Sequence, residues 1–261
     1  MSMFGTLDVV PLWGLFGTII AVTLLSIEAG YRLGRFRRRT CANEKEAPVG
    51  AIVAAKLGLL AFILAFTFGL AASRFDAKRT IVVDEANAIG TTYLRAGLLS
   101  ESRGAAVRQL LSDYVDERLE GVHTGNLGQL MRRSDELHRA LWKEAEAAGK
   151  ADSGSIVVGL FIQSLNETID LHAKRILVGL HNRVPSILWG ALLLVTILTM
   201  AGVGYYDGLA SSSRSPAMLV LALTFSIIIM LIADLDRSQE GLLTVSQQAM
   251  VDLQNMIRDH R

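Results

Sequence analysis

The sequence predicts an all-α integral membrane protein with four membrane-spanning helices and a helical domain inserted between the second and third. Three observations lead there. First, four stretches of the 261-residue chain carry no charged side chain: Val9–Ile27 (19 residues), Leu57–Ser73 (17), Val184–Tyr206 (23) and Ser215–Ala233 (19). A helix needs about 20 mostly apolar residues to cross a hydrocarbon layer about 30 Å thick. Second, the polar stretch Arg74–Arg183 repeats its apolar residues at helical spacing, and no alternation of strand type persists. Third, Cys41 is the only cysteine, which excludes an intrachain disulfide scaffold. Four apolar runs exclude an ordinary soluble enzyme. A net charge of +1 gives no global attraction to nucleic acid.

The chain divides at composition changes. Residues 1–73 hold the first two membrane helices and a basic loop, 74–183 the polar helical domain, 184–233 a membrane hairpin, and 234–261 an amphipathic tail helix. The first membrane helix spans about Val9 to Arg32, with Pro11 near its start, where proline is tolerated. The second begins near Pro48, a good first-turn residue. No Gly or Pro interrupts Ala71–Ala88, so this helix is expected to run past Ser73 as a stalk. In the polar domain, Val107, Leu110, Leu111, Tyr114 and Leu119 mark one amphipathic helix and Leu130, Leu137 and Leu141 a second. Gly121–Gly128 and Ala148–Gly154 read as connections. Ile156, Val157, Leu160, Phe161, Leu165, Ile169, His172 and Ile176 trace a face of a third helix, and Pro185 marks a kink or junction after it. Tyr205 and Tyr206 suit a membrane interface. Ser211–Pro216 is a tight turn that makes the third and fourth membrane helices an antiparallel hairpin. Leu242, Val245, Ala249, Leu253 and Met256 give the tail helix a narrow apolar seam, to be buried on its own chain or on a neighbour.

Charge sets the expected orientation. Glu28–Ala47 holds six Lys/Arg against three acids, whereas Arg74–Arg183 holds 15 of each. Basic residues in short loops stay cytoplasmic. The cluster Arg32, Arg35, Arg37, Arg38 and Arg39 follows the first apolar run rather than preceding it, unlike a cleaved signal peptide. The chain therefore reads as N-out, with Arg74–Arg183 and the tail outside the cytoplasm and Asp207–Arg214 a cytoplasmic turn. Arg74, Lys78, Arg79, Lys174, Arg175 and Arg183 flank the long domain and favour the reverse. They count for less, because long domains translocate regardless of charge.

Few residues suggest chemistry. Lys56 enters the membrane in the second helix with Glu28 at matching depth on the first. The two read as charges at the cytoplasmic mouth of a pore, or as a snorkelling lysine near an acid. Phe62, Phe66, Gly69 and Ser73 share one face of the second helix. Around a symmetry axis that face would make an apolar constriction that gates by dewetting; in a single chain it would pack on lipid or on another helix. Asp84 and Glu85, just past the membrane exit, either concentrate cations or pair with Arg74, Lys78, Arg79 or Arg95 as a solvated network. Asp234 and Asp236 oppose the helix dipole at the end of the fourth membrane helix and call for a partner. None of the five histidines pairs at i,i+3 or i,i+4, and HExxH, CxxC, a phosphate-binding lysine loop, GxGxxG and GxSxG are missing. No metal site, cofactor or catalytic set is expected.

The stretch LAFTFGLAASRFDAKRTIVVDEANAIGTTYLR (Leu64–Arg95), with HNRVPSILWG (His181–Gly190), IADLDRSQEGLLTVSQQ (Ile232–Gln248) and the basic RLGRFRRR (Arg32–Arg39), resembles a bestrophin-like family of small bacterial membrane proteins of unassigned function. The resemblance covers nearly the whole chain. True bestrophins are pentameric anion channels with four membrane helices per subunit, and apolar side chains of the second helix narrow the pore. The resemblance therefore implies a homo-oligomeric ion channel, a pentamer by analogy, in the bacterial inner membrane, with the lipid bilayer and ions as partners and Phe62 and Phe66 as neck residues. Bestrophins keep their termini and soluble part in the cytoplasm, opposite to the sidedness that the basic loop gives here. The alternative function is a non-conducting scaffold or sensor whose helical domain binds an envelope component.

Overall fold

The computed structural model describes residues 11–40, 46–124, 127–181, 183–210, 216–237 and 241–260. Among the described residues there are eight α-helices and no strand: α1 (Leu12–Thr40), α2 (Glu46–Ala96), α3 (Glu101–Thr124), α4 (Leu127–Ala151), α5 (Ile156–His181), α6 (Ser186–Leu209), α7 (Pro216–Asp236) and α8 (Gln248–Asp259). Four of them, α1, α2, α6 and α7, are long and apolar enough to cross a membrane. The chain forms two compact units, one of residues up to 75 with 183–244, the other of 76–182 with 245–261. Helix α2 is continuous through residues of both, as the absence of Gly and Pro from Ala71–Ala88 predicts; its 51 residues far exceed the ~20 a bilayer needs. Residues 41–45 of the basic loop and 211–215 of the hairpin turn lie outside the described residues, as do Val9 and Val10 of the first apolar run.

The first unit is a helix bundle organised by a close approach of α1 and α6. Gly30 and Gly34 of α1 face Gly204 and Gly208 of α6, each pair spaced i,i+4. A methyl at Gly30 would overlap the Ala201 carbonyl, and one at Gly34 the Tyr205 carbonyl. Reciprocally, a methyl at Gly204 would overlap the Ile27 carbonyl, and one at Gly208 that of Tyr31. Only glycine lets the two backbones touch. This is a two-sided small-residue crossing of the kind that drives association in lipid, where apolar side chains gain nothing by leaving their solvent. Leu192, Met200, Ala222, Ile229 and Ile232 fill the adjoining core with Leu60, Leu64 and Ala71 of α2. Inside it, Thr23 of α1 and Ser226 of α7 share a 3.2 Å hydrogen bond, and the Thr23 hydroxyl also donates to the Ile19 carbonyl.

The two acids at the end of α7 find backbone partners. The fully buried Asp234 carboxylate accepts from the amides of Leu242 (2.9 Å) and Leu243 (3.1 Å), and it occupies the space a side chain at residue 241 would need, which Gly241 leaves open. Asp236 accepts from the Val184 amide at 2.7 Å. These bonds hold the segments that leave α7 and enter α6. Pro185 sits at the N-cap of α6, so it marks a junction.

The second unit is built around a separate apolar core. Val107, Leu111, Tyr114 and Val115 of α3, Leu137, Leu141 and Ala145 of α4, and Phe161 and Leu165 of α5 surround Ile89, Tyr93 and Ala96 of α2. The buried faces of α3 and α4 follow the periodicity of their apolar residues. That of α5 is rotated: Ile156, Val157 and Leu160 are exposed, and the buried face runs Phe161, Ser164, Leu165, Thr168, His172. Polar hydroxyls take part because they pair, as Thr168 does with Thr92 at 3.0 Å. Helix α3 continues to Thr124 and α4 to Ala151, so the two expected connections are shorter than the glycines suggest; residues 125–126 lie outside the described residues. The tail helix α8 starts only at Gln248. Its seam is Met250, Leu253 and Ile257, buried on its own chain, while Leu242 precedes it and is exposed.

The glycine crossing is open to test. Gly30→Leu or Gly204→Leu should destabilise the detergent-solubilised protein by at least about 2 kcal/mol, since overpacking here must push the α1 and α6 backbones apart. Gly17→Ala, with nothing within 4 Å of the added methyl, should melt as the wild type does.

Candidate functional site

Two places hold the chain's functional candidates. The first is a bare face of α2. Phe62 and Phe66 are 70% and 60% exposed, and Gly69 and Ser73 are exposed with them. The same helix exposes Ala54, Gly58, Ala61 and Ala65. Small residues thus alternate with phenylalanine. The exposed residues of α6 and α7 include more branched aliphatics of the sort that suits lipid tails, Ile187, Leu194, Leu198, Leu219, Val220 and Ile227, beside the small Gly190, Ala191 and Ala217, whereas α2 exposes Ile52 and Leu59 apart from its small residues and phenylalanines. Lys56 is exposed with its ammonium group beside Gly202 of α6, and Glu28 pairs with Arg32 of its own helix at 2.8 Å.

The second place is a polar cluster inside the other unit. Glu85 of α2 has no exposed surface. It accepts from the Tyr114 hydroxyl (2.7 Å) and from both Arg118 and Arg175, and Arg175 is held in turn by Gln247 at 2.8 Å. His172 of α5 places Nδ1 2.8 Å from the same tyrosine oxygen. His138 of α4 packs against both rings, 4.9 Å from that of Tyr114 and 4.7 Å from that of His172. One ligand atom each from Asp135, His138 and His172 lies within 4.8 Å of the others. Burial pushes the Tyr114 phenol well above its ordinary value, and the Glu85 charge adds to this, so Tyr114 remains a donor. Burial lowers Arg175, against the opposing pull of Glu85. Burial, and next the neighbouring His172, push the His138 imidazole down to about 4.

The model of the bestrophin-like domain matches residues 17–250. The chain belongs to the Bestrophin-like family. Solved structures share the fold of this bestrophin-like chain. A bacterial bestrophin homologue from Klebsiella pneumoniae has a TM-score of 0.63 at 16% identity, over 94% of this chain and 96% of that one. An aspartate-to-alanine variant described in the same words scores 0.61 at 17% identity, over 94% and 97%. A crystal structure described as a membrane protein with a proline-to-alanine substitution scores 0.65 at 16% identity, over 93% and 98%. Among curated proteins, none matches.

Against this geometry the sequence expectations for the bestrophin-like chain divide. Phe62, Phe66, Gly69 and Ser73 do share an exposed face. Of the four charged mouth candidates, Glu28 and Lys56 belong to the first unit, and Asp84 and Glu85 to the second. Asp84 is half-buried. The solvated reading of Glu85 is corrected: its face of α2 turns into the helical core, and its partners are Arg118 and Arg175, not the nearby Arg74, Lys78, Arg79 or Arg95. Arg95 instead donates to the Leu160 carbonyl. The grouping of Asp135, His138 and His172 escapes a reading that weighs histidine pairs alone. Its signal in the sequence is Asp135-x-x-His138, an acid and a histidine one helical turn apart.

Two outcomes follow for this cluster. Glu85→Gln leaves two buried guanidiniums short of a counter-charge and should cost about 3–5 kcal/mol, read as loss of hydrogen-exchange protection in α3 and α5. His138 faces His172, Glu85, Arg118 and its own Asp135, and it is neutral in the fold. Its pKa in the folded state lies below the unfolded value, so the unfolded chain binds more protons between pH 6.5 and about 4. Stability of the chelator-treated chain should therefore fall as pH drops through that window, and His138→Gln should flatten the slope.

Proposed function

We propose that the protein is an oligomeric ion channel of the bacterial inner membrane, passing anions, with its pore lined by the exposed face of α2. The observation that carries this reading is the composition of the exposed side of α2 that adjoins Phe62 and Phe66. Ala54, Gly58, Ala61, Ala65 and Gly69 are small residues at helical spacing, the kind that membrane helices use to meet other helices rather than lipid. Among the described residues of the chain nothing covers them. A ring of identical subunits would, since closed symmetry gives each copy the same neighbours. Phe62 and Phe66, one turn apart on the same helix, would then repeat around the axis as an apolar constriction that gates by dewetting. Membership of the Bestrophin-like family supports the channel reading, and a pentamer is the ring size by analogy. Lys56 and Glu28 lie toward the basic end of α1, which we assign to the cytoplasmic side because Arg37, Arg38 and Arg39 form its last turn. The helical unit is then extracytoplasmic.

Purified protein in liposomes should pass chloride in preference to potassium. In a Cys41→Ser background, Phe66→Cys should become blockable by a charged thiol reagent, and Phe62→Ala or Phe66→Ala should raise the conductance. A monodisperse oligomer that passes neither ion would defeat the channel reading and favour the scaffold. Arg139→Cys, exposed on α4, should react with an impermeant maleimide in intact spheroplasts; labelling only after lysis would reverse the sidedness and leave the pore proposal standing.

A further inference from the structure

We propose that Asp135, His138 and His172 form a mononuclear site for a divalent transition metal of the zinc type, bridging α4 and α5 within the helical unit. Three independent features converge. The donor set is one carboxylate and two imidazoles, with one atom of each within 4.8 Å of the others. Ligand atoms around a tetrahedral zinc stand about 3.4 Å apart at bond lengths of about 2.0–2.1 Å, so small rotations of the three side chains close the set. The second feature is the state of the ring nitrogens. Nε2 of His138 and Nε2 of His172 are buried and take part in no hydrogen bond. Two orphaned polar atoms in one core are costly, and a shared ion satisfies both.

The third feature is the orientation of His172. Tyr114 has a single hydroxyl proton, which it donates to Glu85. Its oxygen can then only accept from His172 Nδ1, 2.8 Å away. That places the imidazole proton on Nδ1 and the lone pair on the unpartnered Nε2. A carboxylate behind a ligating histidine, here relayed through a phenol, is the usual outer support of a metal site; it fixes the tautomer and raises ligand basicity. Asp135 supplies negative charge and, being exposed, an entry from solvent. Two nitrogens and one carboxylate disfavour calcium and magnesium, which take oxygen shells, and leave a fourth position open for water. At position 138 a role in packing alone would be met as well by phenylalanine, without an orphaned nitrogen. The proposal holds whether or not the chain conducts.

The test uses the full-length chain in detergent, with its tag removed and metal stripped by chelator, titrated with zinc chloride against a chromophoric competitor. One zinc per chain is expected, with a rise in melting temperature on binding. Asp135→Asn, which alters only an exposed side chain, should weaken binding about tenfold or more while the metal-free protein melts as before. His138→Gln should remove the thermal shift, and Tyr114→Phe should weaken binding about 10- to 100-fold through His172. Failure of the natively melting wild type to retain zinc overturns the proposal. Wild-type affinity in Asp135→Asn or in His138→Gln overturns it too, as does equal affinity for calcium or magnesium.

Discussion

The bundle depends on the contact between two glycine pairs. In water, α1 and α6 would be driven together by their apolar faces; in lipid that force is gone, because the tails solvate leucine as well as another helix does. What remains is dispersion at close range, and it grows only when backbones meet. Gly30, Gly34, Gly204 and Gly208 remove every side chain that would hold them apart. On another side of α1, Thr23 meets Ser226 of α7, and a hydroxyl pair that would be costly alone in hydrocarbon becomes a specific link. The acids at the end of α7 tie the chain segments beside them through backbone amides.

The second unit obeys the opposite physics. Its helices carry charge on their outer faces, and its core of Val107, Leu111, Leu141, Phe161 and Leu165 is an ordinary water-driven one. Placing Glu85 in that core is expensive in desolvation, and two arginines and a phenol offset it. A well-packed apolar triplet of similar volume would be no less stable. The cluster is therefore better understood as fixing which faces of α2, α3 and α5 meet, and, through Tyr114, which way the His172 ring is turned.

The features of this architecture that depend on composition alone are legible in the sequence. Charge-free runs mark the four spans, and the spacing of Leu130, Leu137 and Leu141 marks the buried face of α4. What is not legible depends on partners far away in the chain. Glu85 looks like a solvated acid because basic residues lie close to it in sequence, yet its true partners, Arg118 and Arg175, are 33 and 90 residues on. The glycine crossing is hidden for a similar reason. Glycines read as scattered breakers until two i,i+4 pairs are set face to face, and nothing in either helix alone says which face the other will take. The buried face of α5 is misplaced by its pattern because Ile156, Val157 and Leu160 are apolar but exposed, while Ser164 and Thr168 are polar but paired.

Helix α2 shows why apolar composition by itself does not name a neighbour. Its best apolar window is only 17% buried by its own chain, against 44% for α7. Exposure of Phe62 or Phe66 to lipid would cost nothing, so the low figure alone argues for no partner. The residues between them make the difference. Glycine and alanine lower the contact area a helix can offer to disordered tails, and glycine weakens the helix besides. They are worth having where another backbone must come near. In the proposed ring, the side of α2 that carries Gly58, Ala61, Ala65 and Gly69 would meet a helix of a neighbouring subunit, and the phenylalanines beside it would face the axis that such neighbours enclose.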